Sequence, residues 1–294
     1  MNQVAYINAR LIDPASGWDG PGTLLTEGGL IADLQPDDAV PDGAEVVDCG
    51  GRVLCPGLID MRVFVGEPGA EHKETLASAS EAAAAGGVTC IIMQPNTEPV
   101  IDDVPLVEYI KRQARDKAKV RIHPMAAITR GLHGEQMAEL GLLSKADAVA
   151  FTDADRTVTN AQVLRRVLSY ASAFDLLVCQ YLEEPNLASN GVMNQGEIAM
   201  RLGLPGIPTQ AETIMVERDL RLVEMTGGRY HAACLSTSQA IEAIARGKAQ
   251  GLPVTAAAAV HNFALNEGAV GEYRSFAKTA PPLRDEMDRQ AVVQ

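Results

Sequence analysis

The rhythm of apolar and polar positions changes once along the chain. From Val4 to about Leu54, short β-type runs alternate with turns rich in Pro, Gly and Asp. After Pro56-Gly57, short apolar runs alternate with helical stretches as far as the last residues. This change predicts a small antiparallel, sandwich-like β domain over residues 1–54. Over residues 55–294 it predicts βα units around a parallel sheet.

Seven apolar runs have the length and composition of buried parallel strands. They cover residues 58–65, 88–94, 120–128, 148–152, 176–181, 230–236 and 254–260. Between them, three helical stretches end at glycines: residues 73–85, 209–225 and 238–250. The predicted fold is therefore α/β, a (β/α)8 TIM-type barrel that lacks its last strand. Either the sequence is truncated after Gln294 or the barrel is open, and open strand edges need a cover.

Charge and composition narrow the function classes. A net charge of −13 and a pI near 4.8 argue against nucleic acid or an anionic membrane as partner. The first residues do not resemble a signal peptide, and no apolar segment has the length of a membrane span. We therefore expect a soluble, cytoplasmic protein. Its five cysteines fit no zinc or redox spacing and are interpreted as reduced thiols: Cys49, Cys55, Cys90, Cys179 and Cys234.

The segment at residues 56–69, PGLIDMRVFVGEPG, closely resembles the dihydroorotase segment PGLIDMHVHLREPG. Further similar segments follow in the same order, among them AAAAGGVT, MQPNT, FTD, RYH, LST and AKTAPPLR. The resemblance covers nearly the whole chain. On these motifs the sequence is identified as a dihydroorotase-like member of the amidohydrolase superfamily.

The resemblance implies a zinc site, but this sequence departs from it. Active relatives open or close a cyclic amide with zinc held by an HxH pair, a carboxylated Lys or an Asp, and two further His residues. The matching positions here are Arg62, Phe64, Asp153, Gln180 and Cys234. Neither a guanidinium nor a phenyl ring donates to zinc, and the cation would repel it. We therefore expect no cofactor and assign no catalytic residue.

The remaining candidates have competing interpretations. Asp153 is either a vestigial ligand or a structural carboxylate that caps a turn or pairs with Arg156 or Arg62. Cys234 is either a zinc ligand or a small buried hydrophobe, and Asn96 either binds a ligand or forms a turn. His231 is expected to be structural. The substrate-binding Arg that the resemblance implies is replaced by Gly66.

Three functions remain open. The first is a noncatalytic dihydroorotase homologue of pyrimidine biosynthesis, a pseudoenzyme that assembles with itself or with aspartate transcarbamoylase, as the resemblance implies. The second is a cyclic-amide hydrolase with an altered site, metal-free or with a metal at Asp153 and Cys234. The third is a binding protein that holds a small anion with Arg62 and Asn96.

Overall fold

The computed structural model describes residues 3–35 and 40–294, and the chain divides into two compact units. The N-terminal unit is Met1–Leu58 and the barrel unit is Ile59–Gln294. This division falls four residues beyond the boundary predicted at residue 54. Within the described ranges, no helix is long and apolar enough to cross a membrane.

The N-terminal unit contains one five-stranded sheet. Its strands are β1 (Gln3–Asp13), β2 (Trp18–Glu27), β3 (Leu30–Gln35), β4 (Glu45–Asp48) and β5 (Val53–Leu54). The pairs β1–β2 and β2–β3 are antiparallel, as the hairpin pattern predicts. Strands β4 and β5, however, pair with β1 in parallel. The prediction of an antiparallel, sandwich-like unit is therefore wrong for these two strands, because both run in the same direction as β1.

The barrel unit has parallel strands in two three-stranded groups. The first group is β6 (Leu58–Val63), β7 (Val88–Met93) and β8 (Arg121–Pro124). The second is β9 (Leu177–Tyr181), β12 (Arg229–Ala233) and β13 (Val254–Ala256). A separate short pair, β10 (Met193–Asn194) and β11 (Gly206–Ile207), lies in the insertion between β9 and β12.

The fourth predicted strand, residues 148–152, joins the two groups. Phe151 makes isolated parallel bridges to Ala126 and to Val178, and no continuous ladder forms there. The extended stretch is short because Asp147 and Ala154, on either side, both have positive φ. The order of the parallel strands is nevertheless the one predicted. Within the described residues, β6 and β13 each have one paired neighbour, and the lack of a last strand stays a prediction.

Helices pack outside these strands. They are α1 (Leu76–Ala85), α2 (Val104–Lys117), α3 (Leu140–Lys145), α4 (Ala161–Ser172), α5 (Pro185–Ala188), α6 (Glu197–Leu202), α7 (Gln210–Thr226), α8 (Ser238–Ala249), α9 (Val260–Ala264) and α10 (Glu286–Val293). Short 3-10 turns cover Arg130–Leu132, Glu267–Val270 and Ser275–Ala277. The three predicted helices correspond to α1, α7 and α8. Helix α7 ends at Gly227, whose left-handed φ of 66° is the reason for glycine there.

Alternation along each strand separates two apolar layers. The main core between strands and helices includes Ile91, Met93 and Val178. The smaller cluster of Met125, Ala150 and Cys179 fills the space between the strands, with Ile92 and Leu177 packed on it. Neighbouring residues of a strand therefore face opposite sides, which decides the direction of every side chain at the strand ends.

Candidate functional site at the barrel mouth

The carboxyl ends of the parallel strands form the candidate site, here called the barrel mouth: residues 62–66, 94–97, 152–154, 181–183 and 234–236. On the first of these strands, β6, Val63 and Val65 pack in the core that faces the helices. Arg62 and Phe64 therefore lie on the opposite, inner face. The correspondence of these two residues to the family's HxH pair stays a prediction.

Arg62 contacts three other segments of the barrel mouth. Its Nη2 donates a hydrogen bond to the backbone oxygen of Ala154 at 3.0 Å. Its guanidinium carbon lies 5.3 Å from the centroid of the Tyr181 ring, a cation–π distance. Burial raises the pKa of the Cys234 thiol, and the charge and hydrogen bond of Arg62 oppose that rise. All three partners are uncharged.

Asp153 points away from this centre. Its carboxylate accepts a hydrogen bond from the Thr129 N–H at 2.9 Å and a second one from the Thr129 hydroxyl. Burial raises the pKa of Asp153, and the two Thr129 hydrogen bonds partly oppose that rise. Among the described residues, no carboxylate lies within 4.0 Å of the Arg62 guanidinium. The hypothesis of an Arg62–Asp153 ion pair is therefore wrong, because the Asp153 carboxylate is bonded to Thr129 instead.

The expectation that Gln180 lies at the mouth on the fifth strand is also corrected. Gln180 is buried, and its Oε1 accepts a weak hydrogen bond from the Val158 N–H at 3.4 Å. Its neighbour Cys179 belongs to the cluster inside the barrel, so Gln180 faces the helices. Tyr181, one residue later, faces inward and lies under Arg62. The residue at the mouth is therefore Tyr181, and the assignment to Gln180 is one residue out of register.

The two candidate residues of the sixth strand, His231 and Cys234, lie in different places. His231 is buried within β12, where its Nδ1 lies 2.8 Å from the Thr255 hydroxyl of β13. Burial lowers the pKa of His231. Cys234 follows the strand end with a positive φ of 57°, and it is the residue that contacts Arg62. His231 is thus a structural residue, as expected, and Cys234 is part of the barrel mouth.

Asn96 and Gly66 lie at the two positions that the resemblance assigns to substrate binding. Asn96 is half-buried, and its Oδ1 has no hydrogen-bond partner within the described part of the chain. Gly66 is closed off, because a Cβ at this position would lie 2.2 Å from the backbone oxygen of Ala70. An arginine side chain at residue 66 therefore does not fit this loop conformation.

The donor set of the barrel mouth does not fit a zinc ion. The inward positions hold a guanidinium, two aromatic rings and one thiol, at Arg62, Phe64, Tyr181 and Cys234. Zinc in proteins is held by imidazole, thiolate and carboxylate groups. Across residues 3–35 and 40–294, no three His, Cys, Asp or Glu side chains are grouped to hold a metal ion.

A buried polar network that the sequence analysis missed begins at Ser236 of the mouth. Arg284 is buried, and it donates to the Ser236 hydroxyl at 3.0 Å and to the Ile207 backbone oxygen at 2.9 Å. The buried Glu212 carboxylate accepts from the Ser236 and Thr237 N–H groups, both at 3.0 Å. A signal was present, because Arg284 ends the AKTAPPLR segment and Ser236 and Thr237 belong to LST.

Comparisons with known proteins agree with this fold. The chain matches the family described as dihydro-orotase-like over residues 51–240. It is 45% identical over 296 residues to a dihydroorotase from Anaplasma phagocytophilum (strain HZ), covering 99% of this chain and 66% of that protein. A dihydroorotase from Solibacter usitatus (strain Ellin6076) is 44% identical over 287 residues, covering 98% of this chain and 66% of the relative.

Among solved structures, L-hydantoinase (dihydropyrimidinase) from Arthrobacter aurescens is similar, with a TM-score of 0.85 and 20% identity. The match covers 99% of this chain and 66% of that one. The fold is thus that of a hydantoinase-type (β/α) barrel. The chain belongs to the dihydro-orotase-like family, which confirms the predicted family. It spans about two thirds of the length of the curated relatives it matches.

Proposed function

We propose that this chain is a noncatalytic member of the dihydro-orotase-like family. The observation that carries the proposal is the position of Arg62, whose guanidinium lies at the strand ends among Ala154, Tyr181 and Cys234. A fixed cation repels a metal ion, and no imidazole replaces the lost donors there. Metal-assisted hydrolysis requires the metal to polarise the substrate or to activate water. The residues of this mouth do not supply that chemistry.

A second function is favoured by the names of the relatives. Proteins 42–45% identical to this chain are named dihydroorotase, and the match extends over almost all of it. On this alternative the chain hydrolyses or closes a cyclic amide with an altered site. Cys234 and Tyr181 then take part in the chemistry, because both are inward groups at the strand ends.

An activity assay distinguishes the two functions. Purified protein is washed with chelator, repurified and assayed with dihydroorotate and with carbamoyl aspartate at neutral pH. The matched control is a Tyr181→Phe, Cys234→Ala double variant produced in the same host strain. We expect equal, background turnover from both proteins. Turnover that survives repurification and is lost in the double variant would establish the cyclic-amide hydrolase instead.

The role we propose for the noncatalytic chain is assembly, with itself and with aspartate transcarbamoylase in the cytoplasm. Supporting it, β13 has one paired neighbour among the described residues, and Ile59 and Met61 of β6 are exposed. Strand edges with free N–H and C=O groups favour pairing with another chain. Light scattering across a dilution series, with and without aspartate transcarbamoylase, tests this role. A stable monomer that ignores the enzyme would contradict it.

A third candidate function is small-anion binding, supported by the lack of a carboxylate within 4.0 Å of Arg62 among the described residues. A ligand that binds the folded state raises the thermal midpoint in a concentration-dependent way. Thermal-shift measurements with carbamoyl aspartate, dihydroorotate and nucleotides therefore test it. An Arg62→Met variant is the control, since it removes the cation that would hold the anion.

A further inference from the structure

Two residues beside the Arg62 guanidinium, Ala154 and Cys234, share a backbone property. Ala154 has a φ of 57° and Cys234 also has a φ of 57°. Neither is a glycine, and L residues adopt this left-handed region at a cost in free energy. Such conformations persist where surrounding contacts hold them. At the barrel mouth, one guanidinium contacts both.

The Ala154 contact satisfies a buried backbone group. Ala154 has no exposed surface, and its carbonyl oxygen accepts from Arg62 Nη2. A buried carbonyl without a partner is rare in folded proteins because its desolvation is not compensated. The two residues are 92 positions apart in sequence, so this bond connects the first strand to the turn after the fourth.

The other contacts connect two more segments. The Tyr181 ring at the end of β9 lies against the guanidinium, and the Cys234 thiol follows β12. A planar guanidinium suits such a centre, because it stacks on an aromatic ring while its in-plane N–H groups reach acceptors at its edge. A lysine ammonium carries the charge but not this planar arrangement of donors.

We propose that Arg62 is a positioning residue that cross-links the barrel mouth, a built-in cation that joins four strand ends where the family's zinc site would lie. It holds the left-handed turns at Ala154 and Cys234. The contacts are made by side chain and backbone alone, so the cross-link works without a metal ion. This inference goes beyond the proposed function and does not depend on whether the chain turns over a substrate.

The test compares purified wild-type protein with Arg62→Met and Arg62→Lys variants. We expect Arg62→Met to lower the thermal midpoint by roughly 5 °C, the scale on which lost buried contacts act in a domain of this size. Arg62→Lys is expected to recover less than half of that loss. The matched control is Arg165→Met, an exposed arginine on α4 whose Nε bonds only to Gln162 among the described residues. Its midpoint should stay within about 1 °C of wild type.

Hydrogen exchange measured by mass spectrometry separates a cross-link from a general loss of stability. In Arg62→Met, peptides covering residues 152–158 and 232–238 should exchange about ten-fold faster, since local opening follows the loss of local contacts. Peptides from α2 should exchange at the wild-type rate. An even increase over the whole barrel, or none, would overturn the proposal.

A metal control and two alternative variants complete the test. Chelator should leave the wild-type midpoint unchanged, and added zinc should not restore Arg62→Met. A wild-type midpoint that falls with chelator would show that a metal, not Arg62, joins the strand ends. If Arg62→Met does not fold, Cys234→Ala and Tyr181→Leu each remove one contact. Each of these variants should accelerate hydrogen exchange at its own strand end when Arg62 is present. The same substitution should have a smaller effect when it is combined with Arg62→Lys.

Discussion

Replacing Asp153 tests whether this carboxylate serves the fold or a metal. Its carboxylate accepts two hydrogen bonds from Thr129, one from the backbone N–H and one from the hydroxyl. Asp153 is 1% exposed and Thr129 is 0% exposed, so water cannot replace the lost acceptor without entering the core. The Asp153→Ala variant therefore leaves two buried donors without a partner.

The magnitude follows from these two bonds. A hydrogen bond to a charged group contributes about 1.5–3 kcal/mol, so two contribute about 3–6 kcal/mol. Removing a buried carboxylate also relieves its desolvation, which opposes part of the loss. We expect Asp153→Ala to lower the free energy of unfolding by about 3 kcal/mol. Asp153→Asn keeps an acceptor for the Thr129 N–H and should cost about 1 kcal/mol.

Urea unfolding followed by far-UV circular dichroism measures this loss. The only tryptophan, Trp18, lies in the N-terminal unit, so far-UV circular dichroism, which follows the helices of the barrel unit, is the signal of choice. Asp155→Ala is the matched control, because that neighbouring carboxylate is exposed. It should change stability by less than about 0.5 kcal/mol. Equal stability of the two alanine variants, or loss of a bound metal in Asp153→Ala, would refute the structural role.

The pH dependence of the same pair has a defined sign. Burial raises the pKa of Asp153 above the ordinary value of 3.8, so the folded state binds this proton more readily than the unfolded state. The contribution of Asp153 to stability therefore rises as pH falls through its folded pKa towards 3.8. Asp153→Asn lacks this titration, so its deficit relative to wild type should grow on acidification. A deficit that shrinks with falling pH would contradict the raised pKa.

Three further predictions concern other parts of the barrel. Elemental analysis should find no stoichiometric zinc; one zinc per chain that is lost on Cys234→Ala would contradict the altered donor set. Removing one partner of a buried charged network costs about 3–5 kcal/mol. Arg284→Met should therefore lower the free energy of unfolding, measured in urea, by about 3–5 kcal/mol. The double variant Arg284→Met, Glu212→Gln should lose less than the sum of the two single variants. Burial lowers the pKa of His231 below 6.5, so the unfolded state binds more protons and stability should fall as pH drops through 6.5. In His231→Gln, which keeps a partner for Thr255, the thermal midpoint should change less between pH 7 and pH 5 than it does in the wild type. An unchanged pH dependence of the midpoint would count against this assignment.

Much of the architecture follows from local pattern alone. The parallel strands were predicted because continuous apolar runs are typical of strands buried on both faces. Three helices were predicted because glycines end them, and Gly227 does take a left-handed φ. The same local pattern misjudged β4 and β5, since the direction in which a strand pairs depends on the path of the connection before it.

The chemistry at the mouth was predicted only in part. Arg62 and Phe64 were matched to the HxH positions because the motif of the first strand aligns without a gap. Tyr181 was missed because the fifth strand has no such motif, and a shift of one residue turns a side chain to the other face. The partner predicted for Asp153 was wrong, since the carboxylate bonds to Thr129, which lies in the loop after β8 and 24 residues earlier in the chain.

The sequence by itself determined the family, the order of the strands and the loss of the HxH pair, because each of these is written in contiguous residues. Only the tertiary structure decided which groups meet at the barrel mouth. Arg62, Ala154, Tyr181 and Cys234 lie far apart along the chain and meet because parallel strands bring their carboxyl ends to one side of the barrel. Contacts between distant strand ends depend on strand register and barrel closure, and neither is encoded in the local pattern of any one segment.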